Sequence, residues 1–321
     1  MAGGGVGGRA NSGGPQESIA VAAEVSLAVA AKAAAENFPV ALRALPSRYR
    51  AHLTALYGFA RLTDDIGDEP LPGMPPDADP ATVVATRLRL LDELQADVQR
   101  IYDGPGHGGA SSGSTGEPRL AAIKALATTV RECGIPARPL YELIEANRQD
   151  QLVKRYETYT ELEDYCKLSA NPVGTVVLYI VNSATADRLA RSDSICTALQ
   201  LVEHSQDVAE DLGNGRIYLP AEDMRRFGVT EADLRRPTAS AAVRELLKFE
   251  VDRAAALLDA GSPLIGTLKG AARLAIAGYV AGGRAAVKAI RDSRYDVLRS
   301  TPKPGKAATI AMMAGCYVKG R

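Results

Sequence analysis

Two segments of the chain carry pairs of aspartates four residues apart, and each pair follows an apolar run. Asp64 and Asp68 form the first pair, and Asp207 and Asp211 form the second. Residues four apart lie on one face of an α-helix, one turn apart. Like charges in this position destabilise a helix by roughly a few tenths of a kcal/mol per pair. A fold that places both pairs on largely buried helices therefore needs a compensating cation.

The apolar residues in the rest of the chain also recur at helical spacing, and no segment of useful length alternates like a β-strand. Leu88, Leu91 and Leu94 are expected to form the buried face of one of these helices. The sequence predicts an all-α fold with more helices than a simple four-helix bundle. The predicted helices are 18–35, 47–68, 81–102, 119–132, 137–153, 160–169, 172–184, 192–212, 231–260 with a break near Pro237, and 263–292.

The chain is expected to form a single folded domain between two tails. Residues 1–16 are Gly-rich and are predicted to be disordered, because glycine and serine do not offset the entropy cost of ordering. The Gly/Ser-rich stretch 103–118 is predicted to be a mobile loop within the domain, since the helical pattern resumes after it. We therefore expect a catalytic domain over 17–300 and a C-terminal tail over 301–321.

Composition excludes several classes of protein. The chain has 321 residues, with 38 Lys and Arg against 38 Asp and Glu, which argues against a nucleic-acid binder. Four cysteines without a CxxC pair, and three histidines, make a structural zinc site or a disulfide framework unexpected. No apolar stretch reaches the roughly 18–20 residues of a membrane span. We expect a cytoplasmic protein, and peripheral membrane association stays open, with the apolar segment 307–318 either an interfacial contact or a docked terminal helix.

The acidic pairs predict a site for Mg²⁺. Acidic pairs at this spacing are also common on solvated helix faces, but two pairs that each follow an apolar run favour a metal site. Mg²⁺ uses one or two carboxylates together with substrate phosphates, so a diphosphate is the expected partner. Asp64 and Asp68 form the first acidic row. Glu203 lies one further turn before Asp207, so Glu203, Asp207 and Asp211 form the second acidic row. Arg61 and Arg216 stand near the two rows and could either hold phosphate oxygens or pair with the neighbouring acids.

Several motifs, in order, resemble those of the squalene/phytoene synthase family. Segment 57–68 (Tyr-x-Phe-x-Arg-x-x-Asp-Asp-x-x-Asp) matches its first aspartate-rich motif. Segment 206–220 (Gln-Asp-x-x-Glu-Asp, then Gly-Arg-x-Tyr-Leu-Pro) matches the second. Tyr165-Cys166 and the segment 171–174 lie where the family has a tyrosine-cysteine pair and a helix break. The resemblance covers about 36–298 and implies an isoprenoid synthase fold, with a central cavity between aspartate-rich helices where Mg²⁺ assists ionisation of a prenyl diphosphate.

Within the family, segments 36–40, 57–69, 169–174 and 295–298 resemble the hopanoid-associated hydroxysqualene synthase branch, HpnC. The resemblance implies that presqualene diphosphate is ionised and that water captures the rearranged cation to give hydroxysqualene. Two alternatives stay open. One is a head-to-head prenyl transferase that makes presqualene diphosphate, squalene or phytoene, and the other is a non-catalytic scaffold that keeps the fold.

The resemblance also assigns roles to residues. The expected metal ligands are Asp64, Asp68, Glu203, Asp207 and Asp211. The expected diphosphate ligands are Arg61 and Arg216. A carbocation is stabilised by aromatic faces, and Tyr165 lies at the family position that lines the cavity. Further expected cavity residues are Tyr57, Phe59 and Gln200.

The chain departs from the family pattern in the second motif. Glu203 stands where the family commonly has asparagine, and the branch often has aromatic residues near His204 and Ser205. We expect His204 to be a packed or solvated residue, although an imidazole titrating near neutrality could accept a proton from the attacking water. These departures concern the termination step rather than ionisation.

Overall fold

The computed structural model describes residues 46–103 and 116–321, and within these ranges the chain is built from α-helices. The first seven are α1 (Ser47–Asp68), α2 (Pro80–Asp103), α3 (Ala121–Cys133), α4 (Arg138–Leu152), α5 (Tyr159–Ser169), α6 (Asn171–Ile180) and α7 (Ala186–Gln206). The others are α8 (Val208–Gly213), α9 (Ala221–Arg226), α10 (Glu231–Leu234), α11 (Ala241–Gly261), α12 (Leu264–Thr267), α13 (Gly270–Asp292) and α14 (Lys306–Lys319). The extended pairing in the described ranges is one isolated parallel bridge, Arg155–Ile217. The all-α prediction is confirmed.

Several predicted helix boundaries are wrong for local reasons. The predicted helix 192–212 begins earlier, because the Thr185 side chain accepts the Arg188 N–H and caps α7. It also breaks at Asp207, whose ψ of 17° interrupts the helix between α7 and α8. The predicted helix 263–292 is divided in the same way, since Leu268 is extended with ψ 162°. Asn182, in the left-handed region with φ 50°, follows the early end of α6.

Other sequence predictions have mixed outcomes. Leu91 and Leu94 are fully buried on α2, but Leu88 is only half-buried and Leu90 takes its place in the core. The predictions for 1–16 and 18–35, and for most of the loop 103–118, lie outside the described residues.

The helix α7 lies at the centre of the described fold. It packs against α6, α11 and α13, and α5 also contacts it. One hydrophobic cluster is formed largely by buried residues of α1 to α4 and α6. A second is formed largely by residues of α5, α11 and the later part of α13. Ile195 of α7 belongs to the first cluster and Leu201 to the second. Because α7 joins the two clusters, its C-terminal end is held rigidly where the second acidic row begins.

The C-terminal segment forms a helix docked on the domain. Met312 and Met313 of α14 pack against the first cluster, and Cys316 is buried. Ile310 and Val318 point outward and are exposed. None of the helices in the described part of the chain is both long and apolar enough to cross a bilayer.

A close approach of α11 to α7 gives a stability prediction. A Cβ added at Gly261 would lie 2.6 Å from the Arg191 carbonyl oxygen and 2.7 Å from Ile195 Cγ1, whereas one added at Gly282 would meet nothing within 4 Å. We predict that Gly261→Ala lowers the free energy of unfolding by about 1–3 kcal/mol, because backbone must shift. Gly282→Ala is predicted to be neutral or stabilising by up to about 1 kcal/mol, since alanine favours helix. Urea unfolding of both variants measures this, and equal destabilisation would contradict the packing.

Candidate active site

The structure brings the two predicted acidic rows to one cavity of about 500 Å³. The acids that line it come from α1, α7, α8 and the residue between α7 and α8. They are Asp64, Asp68, Glu203, Asp207 and Asp211, and Asp150 of α4 also lines the cavity. The two rows are about 140 residues apart in the chain, and the fold brings them together in one cavity.

The same cavity has an apolar region. It is lined there by Ile195 and Leu199 of α7, Val173 and Val177 of α6, and Ile276 of α13. Because residues rise by about 1.5 Å each along a helix, the α7 residues lead from the apolar region to the acidic one. A cavity with one charged and one hydrocarbon-lined region suits an amphiphile with an anionic head group.

The acids in the cavity lie in an environment that disfavours their ionised forms. Burial, with a contribution from Asp68, raises the pKa of Asp64 to about 6, although Asn147 Nδ2 donates to Asp64 Oδ1 at 3.3 Å. Burial, followed by repulsion from Asp207, raises the pKa of Asp211 to about 7. Burial also raises the pKa of Glu203. Positive charge entering the cavity would relieve this cost.

The donor set fits a hard divalent cation that arrives with a phosphate ligand. Carboxylate oxygens are the ligands that Mg²⁺ prefers, and it keeps part of its shell for phosphates and water. Within 46–103 and 116–321, no three acidic, histidine or cysteine side chains are close enough to hold a metal by themselves. The acids present therefore suit Mg²⁺ only as part of a ligand set that substrate oxygens complete.

Arg216 places a cation in the wall of this cavity. Its Nη2 donates to Asp68 Oδ1 at 2.6 Å, and its side chain is only 14% exposed. Its Nε is buried and has no hydrogen-bond partner among the described residues. Arg216 thus links the two motifs directly and keeps an unused donor.

Three residues predicted from the first motif lie elsewhere. Phe59 is fully buried in the first hydrophobic cluster and does not line the cavity, because on a helix it points about 140° away from Asp64. Tyr57 is half-buried about two turns before Asp64, outside the cavity lining. Arg61 Nε lies 2.9 Å from Asp65, so this arginine braces α1 rather than facing the cavity. The expectation that Tyr57 and Phe59 line the cavity was wrong.

The remaining predicted residues do line the cavity. Gln200 Oε1 accepts a hydrogen bond from Ser169 Oγ at 2.8 Å. Tyr165 is buried, and its hydroxyl donates to Asp150 Oδ2 at 2.8 Å. His204 stacks on Tyr218 with ring centroids 3.9 Å apart. Burial lowers the pKa of His204 to about 3, so the suggestion that it titrates near neutrality was wrong.

Sequence reasoning missed a polar group on α4. Asp150 accepts from Tyr165 and also from Tyr218, whose hydroxyl lies 3.1 Å from Asp150 Oδ1. Burial raises the pKa of Asp150, and the two hydroxyls and Arg216 oppose that shift. The signal was present, since Asn147, Asp150 and Gln151 are polar residues at helical spacing on a buried face.

Comparison with known proteins agrees with this geometry. Residues 31–307 match the squalene/phytoene synthase family. The chain belongs to that family. A hydroxysqualene synthase of Sinorhizobium fredii is 32% identical over 235 residues, 73% of this chain and 72% of that protein. A hydroxysqualene synthase of Rhodopseudomonas palustris is 33% identical over 73% of this chain and 72% of that protein. A phytoene synthase of Mycobacterium tuberculosis is 30% identical over 73% of this chain and 70% of that protein.

Solved structures show the same fold. The squalene synthase HpnC of Alicyclobacillus acidocaldarius superposes with a TM-score of 0.71 at 35% identity, covering 88% of this chain and 97% of that one. A dehydrosqualene synthase solved with a ligand has a TM-score of 0.74 at 23% identity, covering 95% and 99%, which supports the fold alone. The chain therefore has the isoprenoid synthase fold and belongs to a family of isoprenoid synthases.

The hydrogen bond from Tyr165 to Asp150 predicts an energetic coupling between these two residues. Removing the Tyr165 hydroxyl leaves a buried Asp150 oxygen without a donor, which costs roughly 1–3 kcal/mol. We predict that Tyr165→Phe destabilises the protein by that amount and has a much smaller effect in an Asp150→Leu background. Tyr102, whose hydroxyl donates to the Ile135 carbonyl at 3.2 Å, is the control. Tyr102→Phe should change the free energy of unfolding by the same amount in the wild-type and Asp150→Leu backgrounds. The same change for Tyr165→Phe in both backgrounds would contradict its pairing with Asp150.

Proposed function

We propose that the protein is a hydroxysqualene synthase that acts on presqualene diphosphate. The observation that carries the proposal is the single cavity that joins both acidic rows and Arg216 to an apolar region. The similarity to three hydroxysqualene synthases at 31–33% identity supports the choice of substrate and product. Such a reaction would place the enzyme in squalene and hopanoid biosynthesis.

The reaction breaks one bond and forms another. The carbon–oxygen bond to the diphosphate breaks heterolytically, and the diphosphate leaves with the electron pair. After the cation rearranges, a water oxygen donates a lone pair to the cationic carbon and forms the alcohol carbon–oxygen bond. The water's extra proton passes to the departed diphosphate or to solvent. The products are hydroxysqualene and diphosphate.

The residues of the cavity have separate tasks in this scheme. Bound Mg²⁺ supplies charge neutralisation for the departing diphosphate. Arg216 would turn its unused donor toward phosphate oxygens, adding electrostatic stabilisation where charge develops. Tyr165 offers its ring to the cation while Asp150 holds its hydroxyl. The residues that would hold the metal are Asp64, Asp68, Glu203, Asp207 and Asp211.

A second candidate is a condensing reaction that joins two prenyl diphosphates. It is favoured by the similarity to phytoene synthases, 29% identical over 233 residues for that of Arthrospira platensis. The same acidic rows and the same apolar region would serve its ionisation steps. The two candidates differ in substrate and in whether water terminates the reaction.

Product analysis distinguishes the candidates. We predict that purified protein with Mg²⁺ converts presqualene diphosphate to hydroxysqualene, identified by mass spectrometry, and that EDTA stops the reaction until Mg²⁺ is restored. Farnesyl diphosphate alone should give no product. A product from farnesyl diphosphate would favour the condensing reaction, and no product from either substrate would favour a non-catalytic scaffold.

The metal-binding roles give a mutational prediction. Asp64→Asn and Asp207→Asn should each lower kcat by roughly 10²–10³-fold, because each removes charge needed where the diphosphate leaves. Asp187, which pairs with Arg191 in the first turn of α7 and is 66% exposed, is the matched control. Asp187→Asn should keep wild-type turnover. Circular dichroism checks that all three variants keep their helices, and full activity of either cavity variant would contradict the proposed roles.

A further inference from the structure

The last turn of α1 is held by an arginine from a neighbouring helix. The carbonyls of Gly67, Asp68 and Glu69 lie at the C-terminal end, where helical N–H partners run out. Arg87 of α2 donates through Nη1 to the Gly67 carbonyl, and through Nη2 to the carbonyls of Asp68 at 3.2 Å and Glu69 at 3.1 Å. One guanidinium therefore satisfies three carbonyls at the end of the helix that carries the first acidic row.

The helix α4 contacts the same turn. Gln151 Nε2 donates to the Gly67 carbonyl at 3.2 Å, and Asn147 Nδ2 donates to Asp64 Oδ1 at 3.3 Å. A Cβ on Gly67 would overlap Asn147 Oδ1, so the glycine allows α4 to come this close. Arg87 Nη1 also lies 3.4 Å from Gln151 Oε1. The end of α1 is thus fixed by α2 and α4 through one connected set of hydrogen bonds.

The hydrogen-bond partners of Arg87 are neutral. In the described part of the chain they are three carbonyls and one amide, and the nearby Asp68 carboxylate acts on Arg87 through its charge without a hydrogen bond or ion pair between them. An arginine used only for charge pairing would face a carboxylate. Its planar, forked donors instead match several carbonyls at once. This geometry fixes the orientation of the C-terminal end of α1. The side chains of the first acidic row project from that end, so their orientation is fixed with it.

We propose that Arg87 is a positioning residue for the first acidic row, which it holds in the orientation that binds a complex of a divalent metal and diphosphate. The inference rests on the proposed function in taking that complex as the ligand. Arg87 itself touches neither metal nor substrate in this scheme. Groups that orient metal ligands in this way typically change metal affinity or activity by about 10–100-fold when they are removed.

The test uses Arg148 as a matched control. Arg148 of α4 also ties α2 to α4, with Nη2 2.7 Å from Asp92 Oδ1 and Nη1 2.7 Å from Gln95 Oε1. Its described contacts do not reach α1. Arg87→Gln, Arg87→Lys and Arg148→Gln are compared with the wild-type chain. Two quantities are measured: the Mg²⁺ concentration for half-maximal turnover, and the Mg²⁺ concentration for half the thermal shift produced with inorganic diphosphate.

Arg87→Gln should raise both Mg²⁺ concentrations at least about tenfold. Arg87→Lys should lie between it and the wild-type protein, since an ammonium reaches fewer carbonyls. Arg148→Gln should stay within about twofold of wild type, even where its melting temperature without Mg²⁺ falls as far as that of Arg87→Gln. The proposal is overturned when Arg87→Gln leaves both Mg²⁺ concentrations unchanged, or when Arg148→Gln shifts them equally.

The wild-type chain separates this inference from the proposed function. A Mg²⁺-dependent thermal shift with diphosphate, together with a product other than hydroxysqualene, rejects the proposed reaction and leaves the Arg87 comparison valid. No Mg²⁺-dependent shift with diphosphate in the wild-type protein rejects the positioning role, because there is then no metal complex to orient.

Discussion

The structure of this site depends on repulsion between carboxylates that α1, α7, α8 and the residue between α7 and α8 bring to one cavity. Asp64 and Asp211 are both held where burial and neighbouring acids raise their pKa values, to about 6 and about 7. A fold gains nothing from such an arrangement unless cations enter. Arg216 supplies one fixed cation beside Asp68, and a divalent metal carrying a diphosphate would supply the rest. Ligand binding and charge neutralisation are therefore the same event.

The surrounding fold holds these carboxylates in fixed positions. The helix α7 packs on several neighbours, so its acidic end has little freedom. The end of α1 is fixed through Arg87, Gln151 and Asn147. Asp150, which also lines the cavity, fixes the side chains of Tyr165 and Tyr218 by accepting a hydrogen bond from each hydroxyl. Rigid placement lets electrostatic stabilisation act without reorganisation during the reaction.

Much of this could be predicted from the sequence, because the decisive signals are local. The four-residue spacing of Asp64 and Asp68 places both on one helix face whatever the tertiary fold, and the structure keeps them together. The roles of Asp150 and Arg87 were not predicted, because they depend on which helix packs against which. Phe59 was placed in the cavity from its motif, although its helical angle directs it into the core. Asp207 interrupts its helix through a backbone angle that periodicity does not reveal.

The most direct test of the account is calorimetric titration of the wild-type protein with Mg²⁺, with and without inorganic diphosphate. The account predicts strong reciprocal coupling, in which diphosphate tightens Mg²⁺ binding and Mg²⁺ tightens diphosphate binding by the same factor. Asp64→Asn should weaken that coupling. Equal Mg²⁺ affinity with and without diphosphate would contradict the central claim that the acidic rows bind a metal–diphosphate complex.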